Sequence, residues 1–131
     1  MARRTRDDAG ASVVEFVLVG ALLLFVAFGV LQVGLVLHAR NVLVADAAEG
    51  ARHAASLGVP VSSGATVAKD LAQRSVPGLA SGMTCRAQQT AGPDGLAVAE
   101  VTCDAQLRLA FLPVGPIHVT VTGRSLKESA Q

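Results

Sequence analysis

Glu15 stands at the head of a long uncharged stretch, residues 16–37, so its carboxylate meets the edge of an apolar region. A carboxylate in such a place either stays hydrated beside a helix N-terminus, where the helix dipole favours an anion, or takes a cationic partner inside a low-dielectric bundle. Gly10 and Ala11 lie just upstream, and Glu15 is the fifth residue counted from Ala11. Cys85 and Cys103 both lie beyond the stretch and are not a C-x-x-C pair, so their expected chemistry is a structural disulfide in an oxidising compartment. Two reduced buried thiols are the alternative. His38, His53 and His118 are scattered and form no metal-ligand cluster, and each reads as structural or surface-exposed. There is no phosphate-binding glycine loop, no G-x-S-x-G elbow and no defensible pair of catalytic carboxylates, so catalysis, cofactors and metals are not expected.

The element that must position Glu15 is the stretch itself. Residues 16–37 read FVLVGALLLFVAFGVLQVGLVL, with Gln32 the one strongly polar side chain. As a helix this run covers about 30 Å of hydrocarbon, enough to span a bilayer. A cleaved secretory signal would have an apolar region of about 7–15 residues followed by a small-x-small site, and this run is longer. A small domain could not surround so long an apolar rod on all sides. Arg3, Arg4 and Arg6 precede the span while Arg40 and Arg52 follow it, a weak bias toward a cytoplasmic N-terminus; the cysteines point the same way.

Past the span, Leu43, Ala47, Gly50, Ala51 and Ala54 recur at helical spacing, with Asp46, Glu49 and His53 on another face. The small face could approach the protein's own sheet or another subunit, or be an ordinary core face; Glu49 and His53 form an i,i+4 pair expected to support the helix. Residues 59–64 read as a linker. Residues 65–76 suit a short helix with Ser63 as N-cap, Pro77-Gly78 as stop, and Val67, Ala68, Leu71 and Ala72 facing one way.

The period then changes to two. Residues 83–89 are expected to form a strand. Ala97, Ala99, Val101, Cys103, Ala105, Leu107, Leu109 and Phe111 alternate with polar residues, as one long strand or two separated by a bulge, and Ile117, Val119 and Val121 begin another after the Pro113-to-Pro116 turn. Gly92-Pro93-Asp94-Gly95 lies midway between Cys85 and Cys103, so a hairpin there would bring the cysteines opposite one another. Closing so short a loop would contribute about 3 kcal/mol by the chain-entropy model.

The stretch RRTRDDAGASVVEF resembles a class III signal of prepilins: a basic leader, a cleavage-site glycine (Gly10, before Ala11) and a glutamate fifth in the mature chain (Glu15). The resemblance implies that Glu15 pairs with the mature N-terminal amine of a neighbouring subunit during assembly. Beyond the span, HARNVLVADAAEGARHAA resembles the small-residue helix of TadE-like proteins that ends in an E-G-A-R-x-A motif. TadE-like proteins resemble pseudopilins and take part in assembling Flp-type tight-adherence pili. Membership would imply work beside an ATPase, membrane platform proteins, other pilin-like subunits and a prepilin-type peptidase. Two departures stand out: Gln32 where many relatives are acidic before glycine, and Phe16 where major Flp pilins have tyrosine. The second favours a minor component.

The expected architecture is α+β: a basic leader over residues 1–10, a transmembrane and extended helix over 11–57, a linker over 58–64, and an extracytoplasmic domain over 65–131 with a short helix and a three-stranded antiparallel sheet. A net charge of +1, with neither tryptophan nor tyrosine, offers no surface for nucleic acid. The expected function is a minor pilin-like component of a pilus or related secretion apparatus, single-pass in the cell membrane and incorporated into a pilus or accessory to it. The alternative is a single-span anchored binding or accessory protein that is never processed.

Overall fold

The computed structural model describes residues 7–78, 82–108 and 115–128. The chain divides into two compact units, residues 1–35 and 36–131, and one helix contributes to both. This helix, α1 (Asp7–Ala55), starts earlier than the expected residue 11.

The first unit holds the apolar run. Its large side chains are open to the surroundings, with Phe16 79%, Val30 69% and Phe25 68% exposed. Such a surface is unfavourable in water and suits lipid.

In the second unit, helix α2 (Ser63–Ser75) is followed by strands β1 (Thr84–Ala91), β2 (Ala97–Leu107) and β3 (Ile117–Leu126). They form an antiparallel meander in the order β1-β2-β3. The fold is therefore α+β, with the short helix and three-stranded sheet that the change of period predicted. β2 is one strand without a bulge, ending at Leu107; Leu109, Phe111 and Pro113 lie outside the described residues. Ala99, Val101, Cys103, Ala105 and Leu107 are buried on its inner face, as the alternation requires.

α2 begins at Ser63, two residues before the predicted start, so the chain is already helical where a linker was expected to run to Gly64. The N-cap position is Ser62, not Ser63, and it makes no side-chain capping bond. The Ser63 hydroxyl instead donates to the Pro60 carbonyl at 2.7 Å, tying the helix to the turn before it. Ala68 and Ala72 are buried, with Val67 and Leu71 partly so. α2 lies over β1 and β2.

The core is built of small residues. Ala39, Leu43, Ala47 and Ala51 of α1 join Ala68 and Ala72 of α2 and Val101, Ala105, Leu107, Val119 and Val121 of the sheet. Alanine gains little per side chain from burial, so stability depends on close backbone approach and its many dispersion contacts.

Candidate functional site

The apolar helix and the face that follows it carry the sequence features that point to assembly. Ala11 and Glu15 are exposed on α1, one helical turn apart and therefore on the same face. Gly10 is exposed, with open space where a Cβ would sit. The Gly10–Ala11 bond lies inside α1, within its first two turns and just past the four N–H groups that lack intrahelical partners. Arg3, Arg4 and Arg6 lie outside the described residues. A single helix, near the N-terminus, is long and apolar enough to cross a membrane among the described residues.

Gln32 interrupts the apolar surface. It is only 4% exposed, and neither its amide oxygen nor its nitrogen has a hydrogen-bond partner among the described residues.

The E-G-A-R-x-A segment is Glu49, Gly50, Ala51, Arg52, His53 and Ala54. Gly50, Ala51 and Ala54 are buried. A Cβ at Gly50 would meet the Gly64 carbonyl at 2.5 Å and the Ala68 Cβ at 2.8 Å; one at Gly64 would meet the Gly50 carbonyl at 2.6 Å. The glycine of this motif is thus the point where α1 and α2 touch backbone to backbone. A Cβ at Gly123 of β3 would lie 2.3 Å from the Ala47 carbonyl, so α1 rests directly on the sheet there. In the second unit the small face approaches the protein's own sheet and helix, one of the options its spacing left open.

Two expectations on this helix are corrected. Glu49 pairs with Arg52, three residues on, and not with His53, which is exposed; the arginine fork offers a stronger charged donor. Asp46 does not belong to a solvated face: it is 9% exposed, and its Oδ1 accepts a 3.4 Å hydrogen bond from the Ser75 hydroxyl at the end of α2. Its Oδ2 is buried without a partner. Burial pushes the Asp46 carboxyl above the usual carboxylate range, and the Ser75 hydrogen bond opposes this in part.

Cys85 and Cys103 are direct cross-strand partners of β1 and β2 and are joined by a disulfide. The turn that sets this register runs from Gly92 to Gly95, with the Gly95 N–H donating to the Gly92 carbonyl at 3.0 Å and Gly95 at φ +73°. A positive φ there strains any residue with a side chain. On the outer face Glu100 accepts hydrogen bonds from Gln88 at 2.9 Å and Arg124 at 2.6 Å. The Gln88 bond first, and then Arg124, hold the Glu100 carboxyl below its ordinary range. These neighbouring side chains cover it from above, while the core lies on the other face. Among the described residues no three His, Cys, Asp or Glu gather into a metal-binding group.

Gly64 and Gly123, which receive the face of α1, were not foreseen as contacts. Gly64 reads as a linker residue, and Gly123 follows an alternating strand. The signal for both was an isolated glycine facing a small-residue helix.

Residues 10–52 match the family of TadE-like proteins. The match starts at the glycine before Ala11 and ends at the arginine of E-G-A-R, so it covers the apolar helix and its packing motif but none of the sheet. TadE-like proteins are pilus-associated and pilin-like, a structural and non-enzymatic kind of protein. No match was found among curated proteins or among solved structures.

Proposed function

We propose that this chain is a minor pilin-like component in the assembly of a Flp-type tight-adherence pilus or a related secretion apparatus. The observation that carries the reading is the coincidence of the TadE-like match with a helix whose large apolar side chains are exposed. The helix resides in the cell membrane with the leader cytoplasmic and the disulfide-bonded unit outside, the compartment where a disulfide persists. A prepilin-type peptidase cuts between Gly10 and Ala11, and the mature subunit works with the pilus platform proteins, the ATPase and other pilin-like subunits.

Cleavage would leave a charged amine on Ala11 one turn before Glu15. Side chains on a helix lean toward its N-terminus, so the Glu15 carboxylate is aimed at the level of that amine. In lipid, two opposite charges compensate each other where either alone would be costly. The partner amine is that of a neighbouring subunit.

N-terminal sequencing after co-expression with the cognate peptidase tests the proposal. The expected product is membrane-retained and begins at Ala11, while Gly10→Val accumulates the longer precursor because a branched side chain obstructs the peptidase site. If the native protein keeps its leader in the presence of active peptidase, the processed-pilin reading fails. The permanently anchored accessory protein then takes its place.

A further inference from the structure

We infer that the end of the second unit nearest the bilayer binds the headgroups of anionic phospholipids through Arg40 and Arg108. Two contacts fix the direction of β3 along α1: Gly123 lies against Ala47, and the Glu128 N–H donates to the Ala55 carbonyl at 2.9 Å. Five strand residues back from Gly123, about 17 Å, is His118. The same distance along α1 is about 11 residues, which brings His118 level with the first residues of the unit. Leu107 pairs with Ile117, so Arg108 stands at this end too. Arg40, Arg108, His38 and His118 are all exposed. None of their side chains has a hydrogen bond or ion pair among the described residues.

No acid balances these cations. Residues 36–45 and 105–119 contain no Asp or Glu. Asp46 comes next on α1, but it is buried and its Oδ1 accepts from Ser75 of α2. Asp104 is paired with Arg86 at 3.3 Å and also accepts from Thr120. Glu49 and Asp70 are paired with Arg52 and Arg74, Glu100 is paired with Arg124, and Asp94 and Glu128 lie at the opposite end of the sheet. Among the described residues, unpaired arginine is therefore confined to this end, the other arginines being held by Glu49, Asp70, Asp104 and Glu100.

That end is where the apolar run stops, at Leu37, so the bilayer surface lies beside it. Leu37 and Val44, 54% and 39% exposed, share the face of Arg40 on α1, and Ile117, 37% exposed, pairs with the residue before Arg108, so apolar surface neighbours both arginines. A guanidinium binds a phosphodiester through two parallel N–H donors, and the histidines add further donors. The occupant is thus a lipid headgroup with a net negative charge. The inference rests on the membrane-anchored reading, not on processing or pilus entry.

The test uses full-length protein in vesicles of phosphatidylcholine containing phosphatidylglycerol. Flotation first establishes anchoring; spin-labelled phosphatidylglycerol and phosphatidylcholine then report the relative association of each lipid with the protein. The native chain should prefer phosphatidylglycerol, and Arg40→Gln with Arg108→Gln should reduce that preference by about fivefold per arginine. The Arg40→Lys, Arg108→Lys protein should retain most of it, and Arg52→Gln with Lys127→Gln, at the far end, should leave it unchanged. The leader arginines are present throughout and cancel in the comparison. A preference that survives loss of Arg40 and Arg108 overturns the inference while leaving the anchor intact. Failure to float overturns the anchored reading and this inference together.

Discussion

At the scale of single residues, the two perturbed carboxylates act in opposite directions. Asp46 is raised by burial, so the folded state holds its proton more tightly than the unfolded chain, whose value is near 3.8. Its contribution to stability therefore falls as pH rises through the interval above 3.8, and the buried charge is a cost at neutral pH. Asp46→Asn keeps an acceptor for Ser75 without the charge. Its stability relative to the native protein should rise between pH 4 and pH 7, as measured by urea unfolding. A difference that is flat with pH would reject the assignment. Glu100 is lowered by Gln88 and Arg124, so its contribution is present above the usual carboxylate value of 4.5 and is lost as pH falls. Glu15 belongs to another setting. Near the head of the span a carboxylate is tolerated, whereas in a helix bundle an unpaired one is costly. Glu15→Ala should stay in the membrane yet lose crosslinking to other pilus components; crosslinking at the native level would remove Glu15 from any pairing role.

The elements were legible in proportion to how regular their patterns are. The apolar run and the alternation of Ala97 to Leu107 are each long enough to fix an element, and Cys85 opposite Cys103 follows from the position of the Gly92–Gly95 turn. Boundaries were less legible. α2 starts earlier than expected because Ser63 bonds to Pro60 locally, an interaction that spacing does not reveal. Contacts between elements were the least legible, since Gly50, Gly64 and Gly123 differ from turn glycines only in what lies opposite them. Gly123→Ala puts a methyl 2.3 Å from the Ala47 backbone, which cannot rotate away. It should destabilise the fold by about 2–3 kcal/mol, seen as a lower urea midpoint. The double variant Cys85→Ala, Cys103→Ala, which opens a cross-link of sequence separation 18, should cost about 3 kcal/mol with secondary structure kept at low denaturant.

At the scale of the whole molecule, the two units differ in surface, and the family match falls mostly on the first, whose exposed apolar side chains suit lipid. The first unit exposes its large apolar side chains, while the second has its own core, sheet and disulfide. Residues 36–55 supply one wall of that core, so any division of the chain that respects folding must leave them with the sheet. A folding boundary inside α1 is therefore to be compared with one at the linker after it, where the sequence reading begins the outer domain. A chain comprising residues 36–131 should be soluble without detergent and unfold in one cooperative transition with an intact disulfide, with a urea slope of about 1 kcal/mol/M. A chain comprising residues 58–131 lacks Leu43, Ala47 and Ala51, exposes the inner face of its sheet and should aggregate or show no cooperative transition. Circular dichroism of both chains through a urea series decides the matter. Cooperative unfolding of the shorter chain would mean that the sheet and α2 suffice, and that the end of α1 is a support the domain can do without.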